Sequence, residues 1–220
     1  MVATRHPLNI PIAAEQCAQQ EQSLEERRRA LGEQHPDTLT AMLELADCLW
    51  AQGRLIAARR LEEQVVAGRR GQLGEGHFDT LKAIGKLAVT MAAQGELAEA
   101  RQLQERVAGG MRALFGETGI ETLRAINNLA GTISAQGEFD TARDLLEAVV
   151  ATSCREFGEE HADTLTAMAN LAAVLWRHGD QEEAYALQQY VVDMHRRARG
   201  EDELTLAAAE VLATMERSAG

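Results

Sequence analysis

Lys82 and Lys86 are the only lysines of the chain and stand four residues apart. On a helix that spacing sets two ammonium groups one turn apart on one face, where together they hold a carboxylate. Arg124 follows Lys82 by 42 residues, and Asn127, Asn128 and Asn170 are three of the four asparagines. A carboxamide donates and accepts at once, so it satisfies the backbone of an extended peptide without reading its side chains. Trp50 and Trp176 are 126 residues apart, three times 42, and are of the residue type that anchors interfaces. These groups offer recognition rather than bond-making.

Other reactive residues point the same way. His35, His77 and His161 recur on the same 42-residue grid, with Gly119 at the remaining place. A metal site needs ligands about 2 Å from one centre, whereas equivalent positions of stacked helices sit about a helix diameter apart. Their expected role is therefore at helix starts. Cys17, Cys48 and Cys154 form no CxxC and leave an odd count, which predicts reduced, packed thiols rather than a disulfide framework or a zinc site. There is no HExxH, and the Gly-Glu turns lack the Gly-Lys-Ser/Thr of a phosphate loop. No catalytic residue, metal or cofactor is predicted, and the chain is not read as an enzyme.

The elements that position these residues follow from a period of 42. Gly53, Gly95, Gly137 and Gly179 keep it, as do the Gly-Glu pairs starting at Gly32, Gly74, Gly116 and Gly158. With Thr38-Leu39, Ala41, Leu45-Ala46, Ala58, Leu61 and Val65 and their copies, eleven positions are identical in all four units. Each unit reads as two helices. The first runs from about residue 38 to 52 with 42, 45, 46 and 49 on its apolar stripe, after Pro36 and Asp37 as start signals. The second runs from about 55 to 72 with 58, 61 and 65 on its stripe. Neither buries its stripe alone; stacking makes a continuous core. The expected fold is all-α, an α-α superhelix or solenoid of four tandem helix-turn-helix repeats over 32–199. A degenerate N-terminal segment and capping helix occupies 1–31, and a C-terminal capping helix 200–220. The polar pair Glu216-Arg217 suits a cap, and a fragment of a longer array is the alternative. Gly109-Gly110 is expected to make the second unit's second helix the loosest, at about 1 kcal/mol per glycine.

The run from Leu31 through Gly-Glu-Gln-His-Pro-Asp-Thr-Leu-Thr-Ala, with Asn127-Asn128-Leu-Ala and Ala135-Gln-Gly-Glu-Phe, resembles the 42-residue tetratricopeptide repeats of the kinesin-light-chain type. The resemblance implies a concave groove lined by first helices that holds peptides or partner proteins. It also implies groove asparagines on the peptide backbone and basic residues on acidic groups. One departure is the middle of the second helix, where a large aromatic gives way to Glu62, Gln104, Leu146 and Gln188.

A helical wheel puts positions 40, 43, 44, 47, 50 and 51 opposite the first-helix core. Lys82, Lys86, Arg124, Asn127, Asn128 and Asn170 fall on that face, and stacking is expected to bring Arg124 beside the lysines as a peptide-binding strip preferring acidic ligands. The competing account pairs the lysines with acids such as Asp47. Trp50 and Trp176 are read either as anchors at the groove ends or as packing against the following helix. The formal charge of −12 in 220 residues opposes phosphate neutralisation, so nucleic acid is not expected as a partner. No apolar stretch reaches the roughly 18 residues of a membrane span, and Met1 to Gln20 lacks a clear secretory signal. The expectation is a cytoplasmic, bacterial, non-catalytic adaptor or scaffold for a protein or peptide. The alternative is a self-assembling structural module, with homo-oligomers, or a regulatory domain of a larger signalling protein.

Overall fold

The computed structural model describes residues 10–219; the first nine residues of the expected N-terminal segment, and with them the first nine of the stretch read for a leader, lie outside the described residues. The described residues form ten α-helices and no strand. They are α1 (Ile10–Leu31), α2 (Pro36–Ala51), α3 (Leu55–Leu73), α4 (Phe78–Ala93), α5 (Leu97–Phe115), α6 (Ile120–Ala135), α7 (Phe139–Phe157), α8 (Ala162–His178), α9 (Gln181–Arg199) and α10 (Glu203–Ala219). The chain divides into two compact units, 1–103 and 104–220, with the boundary inside α5.

Helix starts explain the recurring histidines. His35, His77 and His161 are N-cap residues with extended backbone, and each Nδ1 accepts the backbone N–H two residues on, from Asp37, Asp79 and Asp163, at 3.2 Å. One orphan donor of each first helix is thereby satisfied. Gly119 caps α6 without a side chain. A Cβ there would stand 2.6 Å from both Cβ and the carbonyl oxygen of Phe115, so close approach keeps this copy a glycine. Gly53 turns the chain with φ +74°, and Gly74 ends α3 with φ +86° and ψ 168°, conformations that a side chain strains.

In the first unit α2 packs against α1 and α3, and α3 against α4. Leu39, Met42, Leu45, Ala46 and Leu49 of α2 are buried, as are Ala58 and Val65 of α3. Cys17 of α1 and Cys48 of α2 are joined in a disulfide with Cα atoms 5.6 Å apart, which corrects the expectation of reduced thiols. Thirty-one residues of sequence separation hide a pairing that exists because α1 lies on α2. Cys154 is free and half-buried, and burial pushes its pKa up.

In the second unit Leu129, Ala130 and Ile133 of α6, Ala142 and Leu146 of α7, Leu171, Val174 and Leu175 of α8 and Ala184 of α9 make one core cluster. Leu123, Val149 and Ala167 make another. α5 runs unbroken through Gly109-Gly110. A Cβ at Gly109 would meet nothing within 4 Å, so packing gives no reason for that glycine.

The four positions that replace an aromatic in the second helices, Glu62, Gln104, Leu146 and Gln188, are all buried. Glu62 Oε1 accepts a hydrogen bond from the Thr90 hydroxyl at 2.9 Å, and Gln188 Nε2 donates to the Ala208 carbonyl at 2.9 Å. Glu62 Oε2, Gln104 Oε1 and Gln188 Oε1 have no partner. Burial raises the pKa of Glu62, opposed by the Thr90 hydrogen bond and the charge of Lys86.

Candidate functional site

The predicted strip divides between the two units. Lys82, Lys86 and Trp50 belong to the first; Arg124, Asn127, Asn128, Asn170 and Trp176 belong to the second.

In the first unit Lys82 is exposed on α4 and makes no ion pair among the described residues. Lys86, one turn on, is half-buried and its Nζ pairs with Asp47 Oδ1 of α2, the partner that the competing account names. Trp50 is 43% exposed near the end of α2. Leu43, assigned by the wheel to the open face, is buried at 6%. The first helix therefore covers more than a half-turn of its surface. Positions 40 and 44 remain outside, while 43 turns into the flank.

The same rotation governs the second unit. Arg124 and Asn128 are exposed, Asn170 is half-buried, and Asn127, in the phase of Leu43, is only 8% exposed. Arg124 does not stand free. Its Nε and Nη2 donate to the two carboxylate oxygens of Asp163 at 2.6 and 2.9 Å, and its Nη1 donates to Glu121 at 2.8 Å. These bonds raise the Arg124 pKa, the Asp163 hydrogen bond most. Trp176 packs against the core cluster of α6 to α9, so the two tryptophans are not equivalent.

Beneath Arg124 lies a cavity of about 210 Å³ between α6, α7 and α8. Leu123, Val149, Phe157 and Ala167 are among its apolar lining residues, and Asn127, Asn128, Ser153, Asp163 and Thr166 among its polar ones. Asn127 Oδ1 is buried without a hydrogen-bond partner. A pocket suited to a drug-sized molecule is about 300–1,000 Å³, so this one has room for a single side chain.

The first unit shows why the cavity exists. Two periods earlier, Ser153 becomes Arg69, Asn127 becomes Leu43 and Arg124 becomes Thr40. Arg69 is buried at 9%, and its guanidinium donates to the Asp79 carbonyl at 3.1 Å and to the Thr40 hydroxyl at 3.4 Å. Burial lowers its pKa, with Asp79 opposing. In the second unit the arginine has moved from floor to rim, and the floor residue is a serine with an otherwise empty space above it. Ser153, Val149, Phe157, Asp163 and Thr166 were not among the residues singled out from sequence. The signal that finds them is the replacement of Arg69 by Ser153 at one repeat position on the second helix.

No described helix is long and apolar enough to cross a membrane, and no group of three or more His, Cys, Asp or Glu among the described residues is placed to hold a metal ion. No curated protein matches the chain. Among solved structures, TPR-like repeats assigned to a kinesin light chain of Podosopora anserina align with TM-score 0.66 and 28% identity, covering 85% of this chain and 88% of that one. BtubC (BKLC) of P. vanneervenii aligns with TM-score 0.68 and 19% identity over 94% of this chain and 84% of that one. Bacillus thuringiensis PlcR, in complex with the peptide PapR7 and DNA, aligns with TM-score 0.58 and 13% identity over 85% of this chain and 69% of that one. The last two likenesses concern the fold alone. The tetratricopeptide repeat description matches residues 17–71, 79–152 and 121–194. With ten helices among the described residues, a 42-residue period and these matches, the chain belongs to the tetratricopeptide repeat family, in its kinesin-light-chain-like class.

Proposed function

We propose that this chain is a non-catalytic adaptor or scaffold that holds an extended, acidic peptide or protein segment along its first helices. The residues that would contact it are Lys82 and Lys86 in the first unit, with Trp50 as an aromatic contact, and Arg124, Asn127, Asn128 and Asn170 in the second. Tetratricopeptide repeats generally mediate protein–protein interaction and are typically non-catalytic. The observation that carries the reading is a contrast on the first helices. Thr40, Lys82, Arg124 and Thr166 are all exposed, neutral hydroxyls in the outer two repeats and cations in the inner two, while the buried Leu39, Leu81, Leu123 and Leu165 beside them never change. The core fixes the backbone, and the exposed neighbours are free to encode a partner.

A ligand carboxylate would use Lys82 directly and compete with Asp47 for Lys86. Exposed pairs of that kind contribute about 0–1 kcal/mol, so the exchange costs little. A peptide library retained on the full chain tests the reading. Acidic members are expected to be held over basic ones, with salt-sensitive retention that falls tenfold or more in a Lys82→Glu, Lys86→Glu, Arg124→Glu variant. Equal retention of acidic peptides by that variant would overturn the strip. The expected cytoplasmic setting meets one opposing observation, the Cys17–Cys48 disulfide, since such bonds persist mainly in oxidising compartments.

A further inference from the structure

We infer that the Cys17–Cys48 bond is a redox-operated latch on α1: a low-molecular-weight thiol opens it, α1 leaves α2, and a disulfide of the same class closes it again. The inference stands apart from the peptide-binding reading. It rests on where the two cysteines sit in the repeat and on how little else fastens α1. One period on, the place of Cys17 is held by Arg59 and that of Cys48 by Thr90. Where α3 meets α4, Arg59 donates to Gln94 at 2.9 Å and to Glu96 at 2.5 Å, and Glu62 accepts from the buried Thr90 hydroxyl. The buried Arg69 adds a bond to the Asp79 carbonyl at 3.1 Å. Where α1 meets α2, the disulfide stands at the Arg59 and Thr90 places. Arg27, in the place of Arg69, reaches the Asp37 carbonyl at 3.5 Å and Glu44 at 3.7 Å, and Arg54 reaches Glu21 at 3.9 Å. Both ion pairs join side chains more than a third exposed, and such pairs contribute little.

The apolar hold is as narrow. Among the described side chains of α1, Cys17 and Leu24 are the buried ones, seven residues apart on one face. Where α3 carries Leu61 and Val65 on a second stripe, α1 has Gln19 and Ser23. A fold that presses two thiols together raises their effective concentration, and by linkage the bond resists reduction in proportion. With so few other ties, docking of α1 and closure of the bond become one equilibrium, within reach of a soluble thiol couple. Cys48 is half-buried and Cys17 is 4% exposed, so attack begins at Cys48. A thiolate bonds to its Sγ, the disulfide breaks, and the Cys17 sulfur leaves with the electron pair and takes a proton. A second thiolate attacks the mixed disulfide at its own kind of sulfur and frees Cys48, which is protonated in turn. Two thiols become one disulfide, and the protein gains two electrons and two protons. Release of α1 uncovers Ala41 and Leu45, buried residues that precede Cys48 by seven and three places on its face of α2.

The test equilibrates the natural full chain in glutathione buffers running from mostly oxidised to mostly reduced. Alkylation without denaturant and mass spectrometry, which separates Cys154 from the pair, read the thiols; hydrogen exchange reads the helices. Cys17 and Cys48 are expected to open and close together, reversibly, within that range. In the same step Cys17 is expected to become open to alkylation, and amide exchange in α1 to quicken by about tenfold or more, while α8 and α9 keep their rates. A Cys17→Ser, Cys48→Ser variant is expected to show the fast α1 exchange in every buffer. A pair that stays oxidised in the most reducing buffer is a permanent brace, and a pair that stays reduced in the most oxidising one forms no bond; either result overturns the latch. Full reduction with Cys17 still shielded and α1 exchange unchanged overturns it as well, because α1 then keeps its seat without the bond.

Discussion

Asparagine 127 shows how one polar atom acquires meaning from its surroundings. On an exposed helix face its carboxamide would be solvated and silent; at 8% exposure with Oδ1 buried and unpartnered, it carries the cost of an unsatisfied acceptor. Glu62 poses a related problem in the core. Its Oε1 is satisfied by Thr90, its Oε2 is not, and burial raises its pKa. The folded state therefore holds the proton more tightly than the unfolded chain. Stability from this group is fully present below the unfolded carboxyl's pKa and is lost as pH rises through the higher folded value. Gln104 and Gln188 occupy the same repeat position, so Glu62→Gln is expected to fit. The variant is expected to be more stable at neutral pH by about 1–3 kcal/mol, the order of an unsatisfied buried group, and equal to the natural chain in acid. Urea midpoints at the two pH values check this, and an equal gain at both would remove the titration argument. Gly119 teaches the opposite lesson about repeat consensus. A histidine would match its three counterparts by letter, yet its Cβ would collide with the Phe115 carbonyl.

Single helices are held by features that repeat letters only partly reveal. The first helices start where His35, His77 and His161 cap them, and both histidine and following aspartate were visible in the sequence. The tie between α1 and α2 was not. Cys17 and Cys48 are distant in sequence, and only the packing of one helix on the other brings their Cα atoms to 5.6 Å. Closing a loop with a sequence separation of 31 residues restricts the unfolded chain by about 3–4 kcal/mol in the chain-entropy account. Reduction, or Cys48→Ser, is expected to lower stability by that order. The loss should appear first as faster amide exchange in α1, because a repeat array transmits little beyond its neighbours. Exchange in α1 unaltered by reduction would show that packing on α2 holds the helix without the bond.

Across the whole molecule, stability is expected to follow how completely each first-helix stripe is covered. Leu165 of α8 is 2% exposed and packs with Val191 and Met194 of α9. Leu206, which follows Thr205 on α10 as Leu165 follows Thr164 on α8, is 54% exposed. Among the described residues α10 packs on α9. Native-state hydrogen exchange is expected to open α10 well before α8, with a free energy of opening nearer that of a fraying terminus than of global unfolding. Equal protection of the two helices would mean that something else covers the α10 stripe.

Sequence alone determined the helices, their pairing into hairpins and the repeat family, because the residues that pack between helices recur at one spacing and are held to identity by close contact. It also brought Lys82, Lys86 and the asparagines forward as unusual. The tertiary structure decided which of those groups are already engaged: Lys86 by Asp47, Arg124 by Asp163 and Glu121, Trp176 by the core. It decided too that Ser153 leaves a space where Arg69 fills one. Helix formation depends on local period and composition, which a linear string carries. Whether a polar atom is spent or an interior volume is filled depends on three helices meeting at one point, which the string does not state.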